Sequence, residues 1–285
     1  MTQIAPGLQG QVTKDNFGAS MPALAPLYPG FGQGGWHFDD IDLLMIDYIT
    51  DAEAAAAVLP AEASLIAIPN APGQSAVKFA WAHYRRCTLG PYREVFQAIP
   101  CLYDNNLYLY VPGIWVDTDA AMASGREVAG FPKKLADIEI NFLGNTWQGY
   151  LDRPRGHRLA SSTFETTDEL LSIPLPADRT PAFPEPYNLA LPLPEPTDQP
   201  QALPFNTMTM RLIPNPSVDN PWALTQLNGT VWTLETGTLW AGDATLAFHP
   251  SEQDPVADLP VNAILDAMLF RGDMKATQGL TLVEL

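Results

Sequence analysis

Proline is the residue that most restricts how this chain can fold. It accounts for 28 of the 285 residues, nearly twice the usual share of about 5%. Because proline lacks a backbone N–H and breaks helix interiors, the sequence disfavours a bundle of long helices. Ten prolines lie within the stretch 174–204. We predict that this stretch is an extended, Pro-rich connector or insert within the domain and not a packed element.

Charge and composition exclude several classes of partner. The 32 acidic and 15 basic side chains give a formal net charge of −17, whereas nucleic acids and anionic membrane surfaces attract clustered lysine and arginine. The chain is 46% hydrophobic, as expected of a globular protein. We see no uncharged apolar stretch approaching 20 residues. The two cysteines cannot form a disulfide framework, so we expect a cytoplasmic protein that binds neither nucleic acid nor membrane.

Short apolar runs separated by turn residues indicate the fold class. The runs Tyr92–Leu102 and Leu107–Val111 flank Asp104-Asn105-Asn106, a turn sequence that predicts an antiparallel hairpin. Similar runs recur along the chain, so we predict an α+β fold that is mainly antiparallel β, with a few short helices. One helix is predicted near Val261–Leu269.

A second predicted helix ends close to the most informative residues of the chain. It begins at Asp117 or Thr118, which are good N-cap residues, and ends at Gly130. Pro132 prevents its continuation. Since we find neither internal repeats nor a strong break in composition, we predict a single domain over residues 1–285, in which residues 1–36 form an irregular arm.

Two adjacent lysines follow this helix, at its junction with a predicted strand. Lysine amines form imines with ketones, and the iminium then accepts electrons from a neighbouring C–C bond. A lysine has a reference pKa of about 10.4, so burial or a neighbouring cation must lower the pKa of a nucleophilic lysine. Successive side chains of a strand point to opposite faces. The second lysine therefore need not lie beside the first, and desolvation can be the larger effect. The alternative is a solvated lysine pair that the helix dipole favours.

Other catalytic chemistry has less support in the sequence. The four histidines are scattered and lack the spacing of metal ligands, so we expect neither a metal nor another cofactor. We find no nucleotide-binding fingerprint, because the glycines near residue 32 neither follow a predicted strand nor open a helix. The lysine pair therefore remains the best candidate for catalysis.

The segment around the lysine pair closely resembles the signature of the acetoacetate decarboxylase family. Residues 123–135 read ASGREVAGFPKKL, whereas the signature is a helix with Gly-Arg-Glu followed by an aromatic residue, Pro, Lys, Lys and Leu. Further matches follow the family's order: LGPYREVFQAIP at residues 89–100, MRLIPN at 210–215 and LPV at 259–261. The resemblance covers roughly residues 40–285, apart from 174–204.

The resemblance implies a cone-shaped β-barrel with a Schiff-base lysine inside it, usually in a homo-oligomer. Carried over by position, Lys133 is the amine that forms the imine, and Lys134 is the neighbour that lowers its pKa. Glu94 is the pocket carboxylate that moves protons or positions the substrate. We add three substrate-binding candidates near these positions: Arg85, Arg93 and Phe131.

Two departures from the family pattern affect the expected substrate. Members that decarboxylate acetoacetate carry a second glutamate on the preceding strand, where this chain has Ala80. They also carry an arginine on an early strand, but the matching region around Asp42 has none. If Arg85, Arg86 or Arg93 faces inward, it can replace that arginine. The imine chemistry is thus retained in the sequence, whereas the specificity for acetoacetate is altered.

The sequence therefore predicts a Schiff-base lyase that acts on a keto acid, nominally by β-keto acid decarboxylation. One alternative is an aldolase-dehydratase that joins a pyruvate-type keto acid to an aldehyde. The other is a non-catalytic barrel that binds a small molecule. A substrate-dependent imine would exclude the last of these.

Overall fold

The computed structural model describes residues 26–29, 35–66, 68, 71–170, 203–215 and 222–285. These residues form twelve strands: β1 Trp36–Asp51, β2 Ser64–Leu65, β3 Gln74–Cys87, β4 Tyr92–Tyr103, β5 Asn106–Val116, β6 Lys133–Leu135, β7 Asp137–Leu143, β8 Thr146–Asp152, β9 Arg158–Leu170, β10 Leu203–Pro214, β11 Trp222–Phe248 and β12 Ala263–Glu284. They also form helices α1 Ala52–Val58 and α2 Asp119–Ser124, a π-helix Gly125–Ala129 and a 3₁₀ turn Val256–Asp258. The predicted fold class, mainly antiparallel β with a few short helices, is confirmed.

Seven strands form a closed ring, in the order β10-β5-β4-β3-β1-β12-β11, because β10 pairs with both β5 and β11. Strands β9, β8 and β7 extend the sheet from β11. All pairings of the ring are antiparallel except that of β5 with β10. Such a ring is compatible with the expected barrel, which removes the free edges of a sheet.

Strand β1 separates two hydrophobic cores, since residues 41–50 are buried on both faces of the sheet. Leu43 and Met45 belong to one core, together with Ala80 of β3. Leu44 and Ile46 belong to the other core. This division follows from the strand period of two, which sends successive side chains to opposite faces. We call the face that carries Leu43 and Ala80 the inner face.

The predicted helix before the lysine pair is also present. The side chain of Thr118 accepts a hydrogen bond from the backbone N–H of Ala121 and caps α2. The chain continues into the π-helix and ends it at Gly130, whose φ of 75° lies in the left-handed region that favours glycine. The turn at Gly130 then leads the chain into β6, which pairs in parallel with β5.

One predicted helix is wrong. The segment predicted as a helix near Val261–Leu269 lies mostly in β12, which begins at Ala263 and pairs with both β1 and β11. The backbone pairs on both sides outweigh the local helix pattern. Most of the Pro-rich stretch 174–204 and most of the predicted arm 1–36 lie outside the described residues. Within the described part of the chain, no helix is long and apolar enough to cross a membrane.

Candidate active site

Lys133 and Glu94 form a buried ion pair on the inner face. The Nζ atom of Lys133 lies 2.7 Å from Oε2 of Glu94, and the two side chains are only 7% and 6% exposed. The pairing of strands β4 and β6 with β5 explains why these two side chains are in contact. Lys133 lies opposite Ile114 of β5, and Glu94 lies opposite Val116 of the same strand.

Tyr84 holds the other oxygen of the carboxylate. Its hydroxyl donates a hydrogen bond to Oε1 of Glu94 at 3.0 Å. Burial, followed by the charge of Glu94, raises the pKa of Tyr84 well above its ordinary value. Burial and the charge of Glu94 also raise the pKa of Tyr92. Both phenols are therefore neutral near pH 7, and Tyr84 is a dependable donor to Glu94.

The π-helix packs directly on the stem of the lysine. A Cβ atom added to Gly125 would lie 2.5 Å from Cδ of Lys133, so a larger residue would displace the lysine side chain. Arg126 donates a hydrogen bond to the backbone carbonyl of Lys133 at 3.2 Å. The π-helix and its Gly-Arg sequence thus fix both the backbone and the side chain of Lys133. Single π-helical turns are frequent at functional sites.

Aromatic and aliphatic side chains enclose the lysine amine. The Nζ atom lies 5.4 Å from the ring centre of Tyr92 and 5.7 Å from that of Phe131. Both rings line a cavity of about 40 Å³. Two charged residues line this cavity, Lys133 and Glu94, and their charges cancel. Thr207 adds a hydroxyl group. The remaining lining residues are Trp36, Phe38, Leu43, Tyr84, Leu89, Tyr92, Phe96, Val111, Ile114, Phe131, Phe205, Trp232 and Met274.

This arrangement is suited to reactions of a carbonyl compound. Proton transfer from Lys133 to Glu94 would leave a neutral amine and a neutral acid, with no net charge buried in the cavity. A neutral amine is the form that attacks a ketone. The described residues contain no group of three or more His, Cys, Asp or Glu side chains placed to hold a metal ion.

Comparison with known proteins decides the family. The model of the acetoacetate decarboxylase (ADC) family matches residues 20–284. The chain belongs to the acetoacetate decarboxylase family. An acetoacetate decarboxylase of Acidiphilium cryptum is 28% identical over 253 residues, which are 88% of this chain and 90% of the relative.

Solved structures support the family fold. The acetoacetate decarboxylase of Legionella pneumophila has a TM-score of 0.73 at 24% identity, with 99% of each chain covered. The enduracididine biosynthesis enzyme MppR was solved with the condensation product of pyruvate and imidazole 4-carboxaldehyde; it has a TM-score of 0.67 at 19% identity, with 97% of this chain and 98% of MppR covered. At these identities the two likenesses concern the fold alone.

Lys134 lies outside the cavity. The family resemblance implied that it lies beside the amine of Lys133 and lowers the pKa of that amine. Its Nζ atom is 2.9 Å from Oδ1 of Asp254 and also donates to the backbone carbonyl of Gln253. The alternation of side chains along β6 sends Lys134 to the face opposite Lys133. Its charge is balanced by Asp254 there, and it lines a separate cavity beside Trp115.

The two candidate arginines also lie outside the cavity. Arg93 pairs with Asp117 at 3.2 Å, and Arg85 pairs with Asp40 and Asp42. Arg93 directly precedes Glu94, and Arg85 directly follows Tyr84. Because Glu94 and Tyr84 face inward, the side chains of both arginines lie on the opposite face. Phe131, in contrast, lines the cavity, and its role in substrate binding stays a prediction.

The structure also places the position that departs from the family pattern. Ala80 is fully buried on the inner face, opposite Met45 of β1 and Phe96 of β4. Leu43, from the early strand, lines the cavity, whereas the neighbouring Asp42 pairs with Arg85 and Arg271. Among the described residues that line the cavity, Lys133 is therefore the single cation.

Sequence reasoning missed Tyr84, Thr207 and Trp232. Tyr84 could have been found from the alternation of β3, because it shares the face of Ala80. Thr207 and Trp232 lie on β10 and β11, which reach the cavity by closing the ring. No local sequence signal specifies that closure.

Proposed function

We propose that this protein is a Schiff-base lyase that acts on a keto acid, nominally by decarboxylating a β-keto acid. The observation that carries the proposal is the buried Lys133–Glu94 pair inside an otherwise apolar cavity. Family membership supports a carbon–carbon lyase, and the position of Lys133 in the sequence FPKKL supports this residue as the amine.

The first half of the proposed reaction makes the imine. The neutral amine of Lys133 attacks the ketone carbon to give a carbinolamine. The carboxylic acid of Glu94 then gives its proton to the carbinolamine hydroxyl, which leaves as water, and an iminium remains beside the Glu94 carboxylate. The bond between the α-carbon and the carboxylate then breaks. Carbon dioxide leaves, and the electron pair of the broken bond moves to the iminium nitrogen, which produces a neutral enamine. The positive nitrogen makes this step possible, because it accepts the electrons.

The second half restores the enzyme. Glu94 takes up from solvent the one proton that the decarboxylation consumes and gives it to the enamine carbon. Water then hydrolyses the resulting iminium, which releases the ketone and returns Lys133 as its ammonium form beside the Glu94 carboxylate. A proton donor must lie within about 2.6–3.2 Å of the reacting group, or one water molecule away. The carboxylate of Glu94 is within this distance of Nζ. Tyr84 keeps the carboxyl group in place through its hydrogen bond.

The cavity favours substrates other than acetoacetate. Ala80 supplies no carboxylate, and the described lining contains no arginine to pair with a substrate carboxylate. Each lost polar partner commonly weakens an interaction by about 1–3 kcal/mol. Two losses should reduce the turnover of acetoacetate by about 10²-fold or more. Keto acids with a larger apolar substituent should gain from the aromatic walls.

Aldolase-dehydratase chemistry is the second candidate. The iminium formed on pyruvate would lose a methyl proton to the Glu94 carboxylate and become an enamine. The enamine would attack an aldehyde, whose oxygen takes that proton, and the new hydroxyl group would then leave as water. The observation that favours this candidate is the solved complex of MppR with a condensation product of pyruvate, on the same fold.

The test measures carbon dioxide release and borohydride inactivation together. The purified protein is assayed with acetoacetate, with bulkier β-keto acids, and with pyruvate plus an aromatic aldehyde. We expect substrate-dependent inactivation by borohydride, and either carbon dioxide release from a bulky keto acid or formation of a condensation product. Efficient turnover of acetoacetate would contradict the assignment of specificity. The absence of borohydride inactivation with every substrate would favour a barrel that only binds small molecules.

A further inference from the structure

The hydroxyl of Thr207 is held in a fixed position at the cavity wall. The indole N–H of Trp232 donates a hydrogen bond to Oγ1 of Thr207 at 2.8 Å. Phe205 stacks on Trp232, with ring centres 6.3 Å apart and planes inclined by 12°. All three side chains line the cavity. The stacked rings restrict the indole, and the indole in turn restricts the hydroxyl oxygen.

The proton of this hydroxyl has no protein acceptor among the described residues. A threonine hydroxyl has one donor and two acceptor sites, and Trp232 uses one acceptor site. Thr209 provides a contrast, because it lies two residues further along β10 and is also buried. Its hydroxyl donates to the backbone carbonyl of Ala129 at 2.6 Å. Thr209 thus has its donor satisfied by the protein, whereas Thr207, whose donor has no such acceptor, lines the cavity.

Thr207 and Lys133 lie at different parts of the cavity wall. Both residues belong to strands that pair in parallel with β5, but Thr207 lies opposite Leu109 and Lys133 lies opposite Ile114. The two positions are 114 − 109 = 5 residues apart on β5, with a bulge between them, so Thr207 and Lys133 reach the cavity from different places along this strand. A molecule whose carbonyl carbon reacts with Lys133 therefore meets Thr207 at another end. The side chains between these two residues are mostly apolar.

We propose that Thr207 is a specificity-determining residue that donates a hydrogen bond to an acceptor oxygen of the substrate, remote from the carbonyl that reacts with Lys133. The substrate class is then a carbonyl compound with an apolar middle and a remote acceptor oxygen. This inference rests on the proposed imine chemistry at Lys133. A site that offers a fixed donor discriminates against compounds that lack the matching acceptor.

The test uses two ketones of equal length as probes for imine trapping. 5-Methoxy-2-pentanone carries an ether oxygen where 2-heptanone carries a methylene group. Each ketone is incubated with the protein and borohydride, and the adduct is quantified by mass spectrometry over a range of concentrations. In the wild-type protein, we expect 5-methoxy-2-pentanone to be trapped more efficiently than 2-heptanone.

Three variants separate the hydroxyl from the shape of the side chain. Thr207→Val keeps the shape and should lower the ratio of the two trapping efficiencies by about 3- to 10-fold. Thr207→Ser keeps the hydroxyl and should leave the ratio within about 2-fold of wild type. Thr209→Val removes a hydroxyl of the same strand outside the cavity and should leave the ratio unchanged.

A folded Thr207→Val protein with the wild-type ratio would overturn the inference, as would an equal fall in Thr207→Ser. Circular dichroism of each variant checks the fold. If the valine variant does not fold, the wild-type protein decides, because equal trapping of the two ketones would overturn the inference. A wild-type protein that traps neither ketone, and no keto acid, would instead overturn the proposed imine chemistry. The two failures are therefore distinguishable.

Discussion

The adjacent residues Lys133 and Lys134 have similar ion pairs but very different surroundings. Their Nζ atoms lie 2.7 Å and 2.9 Å from a carboxylate oxygen of Glu94 and Asp254, respectively. The side chain of Lys133 is 7% exposed and lies among aromatic rings, whereas that of Lys134 is 37% exposed. Pairing with a carboxylate therefore does not separate the two lysines, whereas burial in an apolar cavity does. This burial is the reason why Lys133 is the lysine that we propose to be reactive.

A third lysine, Lys78, separates the effect of burial from that of the cavity. Lys78 of β3 lies 2.6 Å from Asp47 of β1, and the two side chains are only 8% and 9% exposed. Neither residue lines the cavity that contains Lys133. Lys78 is therefore a matched control for Lys133, because it shares the burial and the ion pair but lacks a place for a substrate.

The largest expected effect is the loss of imine chemistry in Lys133→Arg. Arginine keeps the positive charge beside Glu94 but cannot form an imine, so substrate-dependent borohydride adducts and turnover should fall to background. Lys134→Ala should retain both activities, because Lys134 lies on the opposite face. Adduct yield and steady-state kinetics on the two variants measure the contrast. Equal losses in both would contradict the distinction between the lysines.

Glu94→Gln should lower kcat by about 10²- to 10⁴-fold, the usual contribution of a positioned acid–base group. The amide keeps the shape of the side chain and a hydrogen bond with Tyr84, but it cannot give a proton to the enamine. Asp254→Asn is the matched control, since it neutralises the carboxylate partner of Lys134. We expect its kcat to stay within a few-fold of wild type. A larger loss of kcat in Asp254→Asn than in Glu94→Gln would contradict the claim that only the partner of Lys133 takes part in the reaction.

Lys78→Met should destabilise the fold without removing the site. Leaving Asp47 buried without its partner should cost about 3–5 kcal/mol in free energy of unfolding, because breaking one side of a buried pair exposes the full desolvation penalty. Replacing both residues, as in Lys78→Met with Asp47→Leu, should recover most of this loss. Urea unfolding measures both variants. Loss of imine formation in the folded double variant would show that Lys78 takes part in the chemistry.

The smallest expected effect concerns Asp254 and pH. Burial alone would raise the pKa of Asp254, but hydrogen bonds from Lys134 and Trp115, with the charges of Lys134 and Arg153, lower it below its ordinary value. The unfolded chain therefore binds a proton more readily than the folded chain. The stabilisation is complete above the unfolded pKa of about 3.9 and is lost as the pH falls through the lower folded pKa.

Asp254→Asn removes this carboxylate and should make the free energy of unfolding less dependent on pH at the acid end. The measurement is urea unfolding of the wild-type and variant proteins at several pH values from 6 downwards, as far as both remain folded. An unchanged slope of free energy against pH would show that Asp254 does not carry the expected acid sensitivity.

The sequence predicted Lys133 and Glu94 as the central residues of the candidate site, but it did not predict all the residues that line the cavity. The segment 123–135 identified Lys133, and the matching segment 89–100 identified Glu94. Side-chain alternation already indicated that Lys134 need not lie beside Lys133. The same rule, applied to Glu94, would have placed Arg93 on the opposite face of β4, because neighbouring residues of a strand cannot both point inward.

The remaining features depend on which strands become neighbours. Thr207 and Trp232 reach the cavity because β10 pairs with both β5 and β11. The pairing of β10 with β5 joins residues about 100 positions apart, and no local pattern specifies it. The wrong helix prediction near Val261–Leu269 has the same cause, since the neighbours of β12 decided its conformation.

The most direct test of the account is to locate the borohydride adduct by peptide mass spectrometry. The wild-type protein is trapped with a keto acid that it turns over, and the peptides that contain Lys78, Lys133 and Lys134 are compared in one digest. We predict an adduct on Lys133 and none on Lys78 or Lys134. An adduct on Lys134 or Lys78, or turnover without any lysine adduct, would contradict it.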